Sequence, residues 1–205
     1  MDKLQHLKLS FEANHFASDI SNFFVVLDPI FKLKTFSFEC NQLSPGDVYF
    51  SLIKMLEGSK GSLEKLKVKL TGKSGSYYYP QKEEHGAVIS FFNGLVNMRK
   101  LQISDFGISD KIFLKDFTEV ILQSEHLRVL RIGMIKNPSF SLAVELILKK
   151  KGLERFHYQV QGDLMKSSEA MRKISLNQVR RNNLCLESMS QYPLLFKDDI
   201  SNMNW

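Results

Sequence analysis

The sequence predicts an α/β fold built from repeated strand–helix units. Three observations predict it: a short apolar motif that recurs along the chain, an amphipathic helical stretch between most copies, and helix-stopping glycines just before several of them. The motif, apolar-x-x-apolar-x-apolar, occurs six times, as Leu4-Leu7-Leu9, Leu33-Phe36-Phe38, Leu63-Leu66-Val68, Met98-Leu101-Ile103, Leu127-Leu130-Ile132 and Leu153-Phe156-Tyr158. Successive copies begin 29, 30, 35, 29 and 26 residues apart. Intervals this regular mark an internal repeat. The last two apolar positions of each copy alternate with polar ones, the period-two pattern of a strand buried on one side.

The helices follow from a different period. Ile20, Phe23, Phe24, Leu27 and Phe31 fall at helical spacing, as do Val48, Leu52, Ile53 and Leu56. Val88, Phe92, Leu95 and Val96 form a third stripe; Phe113, Phe117, Val120 and Ile121 a fourth; Ala143, Leu146 and Ile147 a fifth. Ser44-Pro45 and Asn137-Pro138 each set a capping side chain before a proline at the first helical position. Gly58, Gly94 and Gly152 stand where helices should stop. One strand and one helix cannot close a core, so the units must stack and share one. Strand–helix–strand connections then make the strands parallel.

This pattern resembles the leucine-rich-repeat family, in its ribonuclease-inhibitor-like class, over residues 4–160. The resemblance implies a horseshoe arc with a parallel sheet on the concave side and helices on the convex side. It implies as well a protein-binding role along the concave face. The family's Asn or Cys after the third apolar position, with its following apolar residue, is kept only in the second copy, as Asn41 and Leu43; the other copies carry Glu12, Thr71, Phe106, Ile135 and Gln161 there. The turn after each strand must therefore be satisfied in another way. The expected organisation is six repeats over 1–161, a C-terminal helical cap over 162–196 with a wet face at Arg172, Lys173, Arg180 and Arg181, and a tail over 197–205 ending at Trp205.

Composition narrows the class. The 205 residues are 43% hydrophobic, enough for a continuous core, and carry a net charge of +6. Cys40 and Cys185 form no CxxC pair, which points to two reduced, largely buried thiols rather than a disulfide framework or a zinc site. No signal-peptide pattern and no run of about 18 apolar residues occurs. An intracellular, cytoplasmic protein without a membrane span is the expectation.

The polar positions that alternate with the strand apolar residues face away from the core. They are His6 and Lys8; Thr35, Ser37 and Glu39; Lys65, Lys67 and Lys69; Lys100, Gln102 and Ser104; Val129, Arg131 and Gly133; Arg155, His157 and Gln159. Seven are Lys or Arg and one is acidic, against 28 basic and 22 acidic residues in the chain. The basic excess is thus concentrated on one expected surface, with Lys8, Lys65, Lys67, Lys69, Lys100, Gln102, Arg131, Arg155 and His157 as its partner-binding residues. Such a surface attracts an acidic protein or, as the alternative, RNA or another acidic polymer. Scarce aromatic residues among these positions weigh against base stacking. The long third interval falls in Thr71–Glu84, where Tyr77, Tyr78 and Tyr79 form a possible loop contact for a partner or else pack on their own repeat.

An enzyme is not expected. Gly72-Lys73-Ser74 lacks the upstream glycine of a phosphate-binding loop, since Lys67 stands there. His6, His15, His85, His126 and His157 have no metal-ligand spacing, and Glu83-Glu84-His85 reads as acids matching a helix dipole. No metal and no cofactor is implied. The expected role is an interaction or scaffold module within a larger assembly, with a substrate-receptor or GTPase-regulator adaptor as a lower alternative. Nothing in the sequence covers the first unit ahead of Leu4. A partner subunit, further chain, or the polar residues His15, Asp19 and Asn22 would have to do so.

Overall fold

The computed structural model describes residues 4–11, 24, 32–41, 45–71, 78–104, 106–107, 111–135, 147, 150–160 and 185–188. The strands are β1 (His6–Phe11), β2 (Thr35–Asn41), β3 (Lys65–Thr71), β4 (Lys100–Ile103), β5 (Val129–Ile135), β6 (Arg155–Val160) and β7 (Cys185–Ser188). The described helices are α1 (Pro45–Leu56), α2 (His85–Asn93) and α3 (Lys111–Gln123), with a 3-10 turn over Glu57–Ser59. The sheet order is β1-β2-β3-β4-β5-β6-β7 and every pairing is parallel. The fold is α/β, with each strand beside the next one in the chain.

The six motifs explain the six first strands. In each copy the first apolar residue lies two positions before its strand; the second points to the helical side, as does the third in the first five copies. Phe36, Phe38, Leu66, Val68, Leu101, Ile103, Leu130, Ile132 and Phe156 are all buried there, against Val48, Leu52, Val88, Phe92, Phe113 and Phe117 from the helices. The register aligns the copies: Leu7, Phe36, Leu66, Leu101, Leu130 and Phe156 form one continuous row.

The junctions between units repeat as well. The carbonyl of Gln5 accepts the N–H groups of Lys34 and Thr35 at 2.8 and 3.0 Å. The carbonyls of Lys34, Glu64, Arg99 and Arg128 each accept the corresponding pair from the following unit, at 2.7–3.1 Å. Side chains add to these ties without a common residue type: Ser62 Oγ donates to the Leu33 carbonyl, Asn97 Nδ2 to that of Gly61, and Arg128 Nη1 to that of Gly152. Lys150, 8% exposed, donates to the Leu122 carbonyl at 3.3 Å near the end of α3. Burial among these groups, with Arg128 near, holds its ammonium below the usual lysine range.

The end of β3 is tied to the neighbouring unit. Ser104 Oγ accepts the Leu70 N–H at 2.8 Å and donates to the Leu70 carbonyl, while Tyr49 donates its hydroxyl to the Ser104 carbonyl. Aromatic rings fill the space behind. Tyr49, Tyr78, Phe92, Phe113 and Phe117 all approach Phe106, with ring centroids 5.3–6.4 Å apart.

Several expectations are corrected. The sheet has a seventh strand, Cys185–Ser188, inside the span expected as a helical cap; the rest of 162–205, Tyr77, the Ser44 and Asn137 caps and most of the first and fifth helical stripes lie outside the described residues. Val96 is not part of a buried stripe: α2 ends at Asn93, so Val96 falls in the turn and is 59% exposed. Gly58 sits inside the 3-10 turn rather than ending a helix. Gly94 does end α2, but with ordinary φ; the Lys60 side chain lies where a Cβ would sit. Only Gly152, of these three, has a left-handed backbone, φ 81°.

Candidate functional site

The open face of the sheet is positioned by the same alternation that builds the core. A residue between two buried neighbours on a strand must point the other way. Register then fixes which of these residues meet. One row runs His6, Thr35, Lys65, Lys100, Val129, Arg155 and Cys185. The next runs Lys8, Ser37, Lys67, Gln102, Arg131, His157 and Glu187. A third begins Ser10, Glu39 and Lys69. All nine expected binding residues therefore occupy positions of one sheet, although they span β1 to β6. Lys8, Lys65, Lys69, Lys100 and Arg155 are exposed, and Lys67, Gln102 and Arg131 are half-buried between them.

Two refinements come from tertiary structure. The register slips between Arg131 and Met134, so Met134 and not Gly133 stands opposite Gln159. The pairing at the end of β5 thus departs from the residue-for-residue register of the earlier strands. The second refinement concerns charge. Lys67 Nζ donates to Glu39 Oε1, so Lys67 is ion-paired. That hydrogen bond, with Lys69 and Lys8 also near, holds the Glu39 carboxyl below its ordinary value against the opposing effect of burial.

Lys65 and Lys100 are adjacent in register, and among the described residues neither has an ion pair. The nearest carboxylate in sequence, Glu64, faces Arg99 at 3.9 Å instead. Like charges side by side on adjacent strands are mutually unfavourable. Val129 follows in that row and Arg155 after it.

The tyrosine loop takes the opposite role from a partner contact for one of its members. Tyr78 is 3% exposed, stacks on Tyr49 at 5.4 Å and donates its hydroxyl to Glu84 Oε2 at 2.7 Å. Burial, then Glu84, raises its pKa far above the usual tyrosine value. Tyr78 cannot meet a partner while this fold is intact. Tyr79 is half-buried over Gly107, whose missing side chain leaves room for the ring. Glu84 also accepts the Gln81 N–H at 2.9 Å. Its carboxylate pins the loop and makes no side-chain cap bond to α2, at whose N-cap Glu84 stands. Sequence reasoning missed this pin, since neither residue type nor spacing announces a contact between a loop tyrosine and a helix-start acid.

Among the described residues no three or more His, Cys, Asp or Glu side chains cluster as a metal site. His6 and His157 sit five strands apart, about 24 Å at the usual strand spacing. Cys40 is a buried free thiol. A cavity of about 430 Å³ beside the ends of α2 and α3 holds Glu125 and His126, which are consecutive residues on one turn. No described helix is long and apolar enough to cross a membrane. No protein-family model matches this chain, and no curated protein is significantly similar to it.

Proposed function

We propose that this chain is a non-enzymatic binding module, a leucine-rich-repeat-type solenoid whose open sheet face receives an acidic protein partner. The parallel strands in chain order and the repeated backbone junctions support the solenoid. One observation carries the functional reading: Lys8, Lys65, Lys67, Lys69, Lys100, Arg131 and Arg155 occupy the same sheet face, with Glu39 the one acid among the β1–β6 positions there. A field of one sign over a shallow surface steers and holds the opposite sign. No Phe, Tyr or Trp stands among the described open-face positions of β1–β5, so a nucleic acid would find little to stack on.

The β1 edge supports membership of a larger assembly. Leu7, Leu9 and Phe11 are half-buried, where their register partners Phe36, Phe38 and Cys40 are buried, and Leu4 is 40% exposed.

The test uses the intact chain and a labelled glutamate–serine copolymer, with a glutamine–serine copolymer as control and poly-uridylate as the nucleic-acid arm. Binding of the acidic copolymer alone, lost on combined reversal of Lys8, Lys65, Lys69 and Lys100 to Glu, is the expected result. Binding that survives the reversal overturns the reading. So does tighter binding to poly-uridylate that falls by orders of magnitude from about 50 to about 200 mM salt.

A further inference from the structure

Beyond the open-face reading, and independently of it, we infer that the β1 edge of the sheet is a second binding site. There an extended segment of a partner protein adds as a further parallel strand. The segment carries apolar residues beside Leu7 and Leu9 and a carboxylate beside Lys8.

The main chain specifies the occupant. Among the described strands β1 stands first in the sheet order and pairs with β2. Thr35 lies opposite His6 and donates its N–H to the Gln5 carbonyl at 3.0 Å. In a parallel ladder that geometry sends the Gln5 carbonyl and the bonds of Leu7 and Leu9 towards β2. It turns the N–H and carbonyl groups of His6, Lys8 and Ser10 to the open edge. Between units the fold closes such an edge in one way, used five times: a carbonyl of one unit accepts the two N–H groups that open the next. The equivalent donors of the first unit are those of Gln5 and His6, and among the described residues no carbonyl takes them. A parallel strand preceded by a carbonyl at that level completes the series.

The side chains specify its residues. Leu4 is 40% exposed, whereas its counterparts Leu33, Leu63, Met98, Leu127 and Leu153 are 0–4% exposed. Leu7 and Leu9 are half-buried beside the fully buried Phe36 and Phe38. Alternate apolar residues on an added strand would continue these rows at about 4.8 Å and take their open flank from water. On the other side of the strand Lys8 is exposed, and its register partner on β2 is the uncharged Ser37. The nearby Glu39 carboxylate is bonded to Lys67. An edge lysine discourages indiscriminate strand pairing, and a carboxylate directly beside it turns that obstacle into a favourable cross-strand pair.

The probe is a labelled peptide, serine–leucine–threonine–threonine–leucine–glutamate–leucine–threonine, titrated into the full chain by fluorescence anisotropy with amide exchange followed in parallel. Binding should slow exchange of the His6, Lys8 and Ser10 amides and leave those of Leu7 and Leu9, already bonded to β2, unchanged. Ser10→Pro removes an edge N–H that β2 does not use; it should keep the fold by circular dichroism and weaken binding about tenfold or more. Methylating the backbone nitrogens of the peptide's last two leucines, which would face β1, should weaken binding equally without touching the protein. Glutamine for the peptide's glutamate should cost about two- to fivefold. Lys65→Glu with Lys69→Glu and Lys100→Glu strips the open face and should leave peptide binding within about twofold. Loss of the peptide in that variant places it on the open face and overturns the strand site, whereas loss of the acidic copolymer alone separates the two sites. Binding that survives the methylated peptide overturns the proposal, as does a parent chain that binds no peptide at about 1 mM. Edge-amide protection that rises with the concentration of the chain alone assigns the edge to a second copy and overturns it too.

Discussion

The two faces of the sheet are made by neighbouring residues of the same strands, yet they obey different physics. Leu66 is buried and Lys65 and Lys67, on either side of it, are exposed and half-buried. On the helical side each residue loses water to its neighbours, so shape and apolar area decide its contribution. On the open side solvent remains, and the contribution of each residue is set by charge and screened by salt. Substitutions on the first face should register as stability and on the second as binding.

The largest expected loss is at the aromatic hub. Phe106→Ala removes the ring that Tyr49, Phe92, Phe113 and Phe117 pack against and should cost about 3–5 kcal/mol in urea denaturation. A loss under about 1 kcal/mol would show that the units do not share this core. Leu130→Ala, fully buried in β5, should cost about 2–5 kcal/mol, whereas Leu7→Ala at the same row position in β1 should cost clearly less. Equal losses would mean that β1 is covered as well as the interior strands. Tyr78→Phe leaves the ring in place and removes the bond to Glu84; about 1 kcal/mol is expected, with faster exchange of the Gln81 amide.

On the open face the signs change. Replacing Lys65 and Lys100 together by Ser removes a repulsive pair and should raise stability by about 0.2–1 kcal/mol at low salt, an advantage that fades as salt is added. Destabilisation would mean that the two lysines have partners in the fold. Glu39→Gln is the smallest effect and is read in its pH dependence. The Glu39 carboxyl titrates below its usual 4.5, so its stabilisation is complete above that pH and is lost as pH falls through the lower folded value. The variant should therefore unfold with a flatter profile below pH 4.5 and match the parent profile in shape above it.

Much of this architecture is legible in the residues. The motif Leu63-Leu66-Val68 shows a strand because its alternation places Leu66 and Val68 on one side, and β3 begins two residues after Leu63, as its counterparts do in the other copies. The stripe Phe113, Phe117, Val120 and Ile121 shows a helix for the same kind of reason, and all four are buried in α3. Both readings depend only on backbone period and on which side chains avoid water. The nine expected binding positions were legible to the same degree, as positions of one sheet.

What they meet was not. The pairing of Glu39 with Lys67 needs the register of β2 on β3, and the Met134 slip needs β6 alongside β5. Tyr78 reads either as a partner contact or as packed on its own repeat until Tyr49, Phe106 and Glu84 close around it. The sequence by itself determined the first six strands, three described helices, the chain order of those units and the basic side of the sheet. Only the tertiary structure decided that Lys67 is neutralised, how the end of β3 is tied to the next unit and that Tyr78 is buried. The physical reason is range: periodicity acts between residues a few positions apart, while each of the deciding contacts joins groups from separate units that meet only when the units stack.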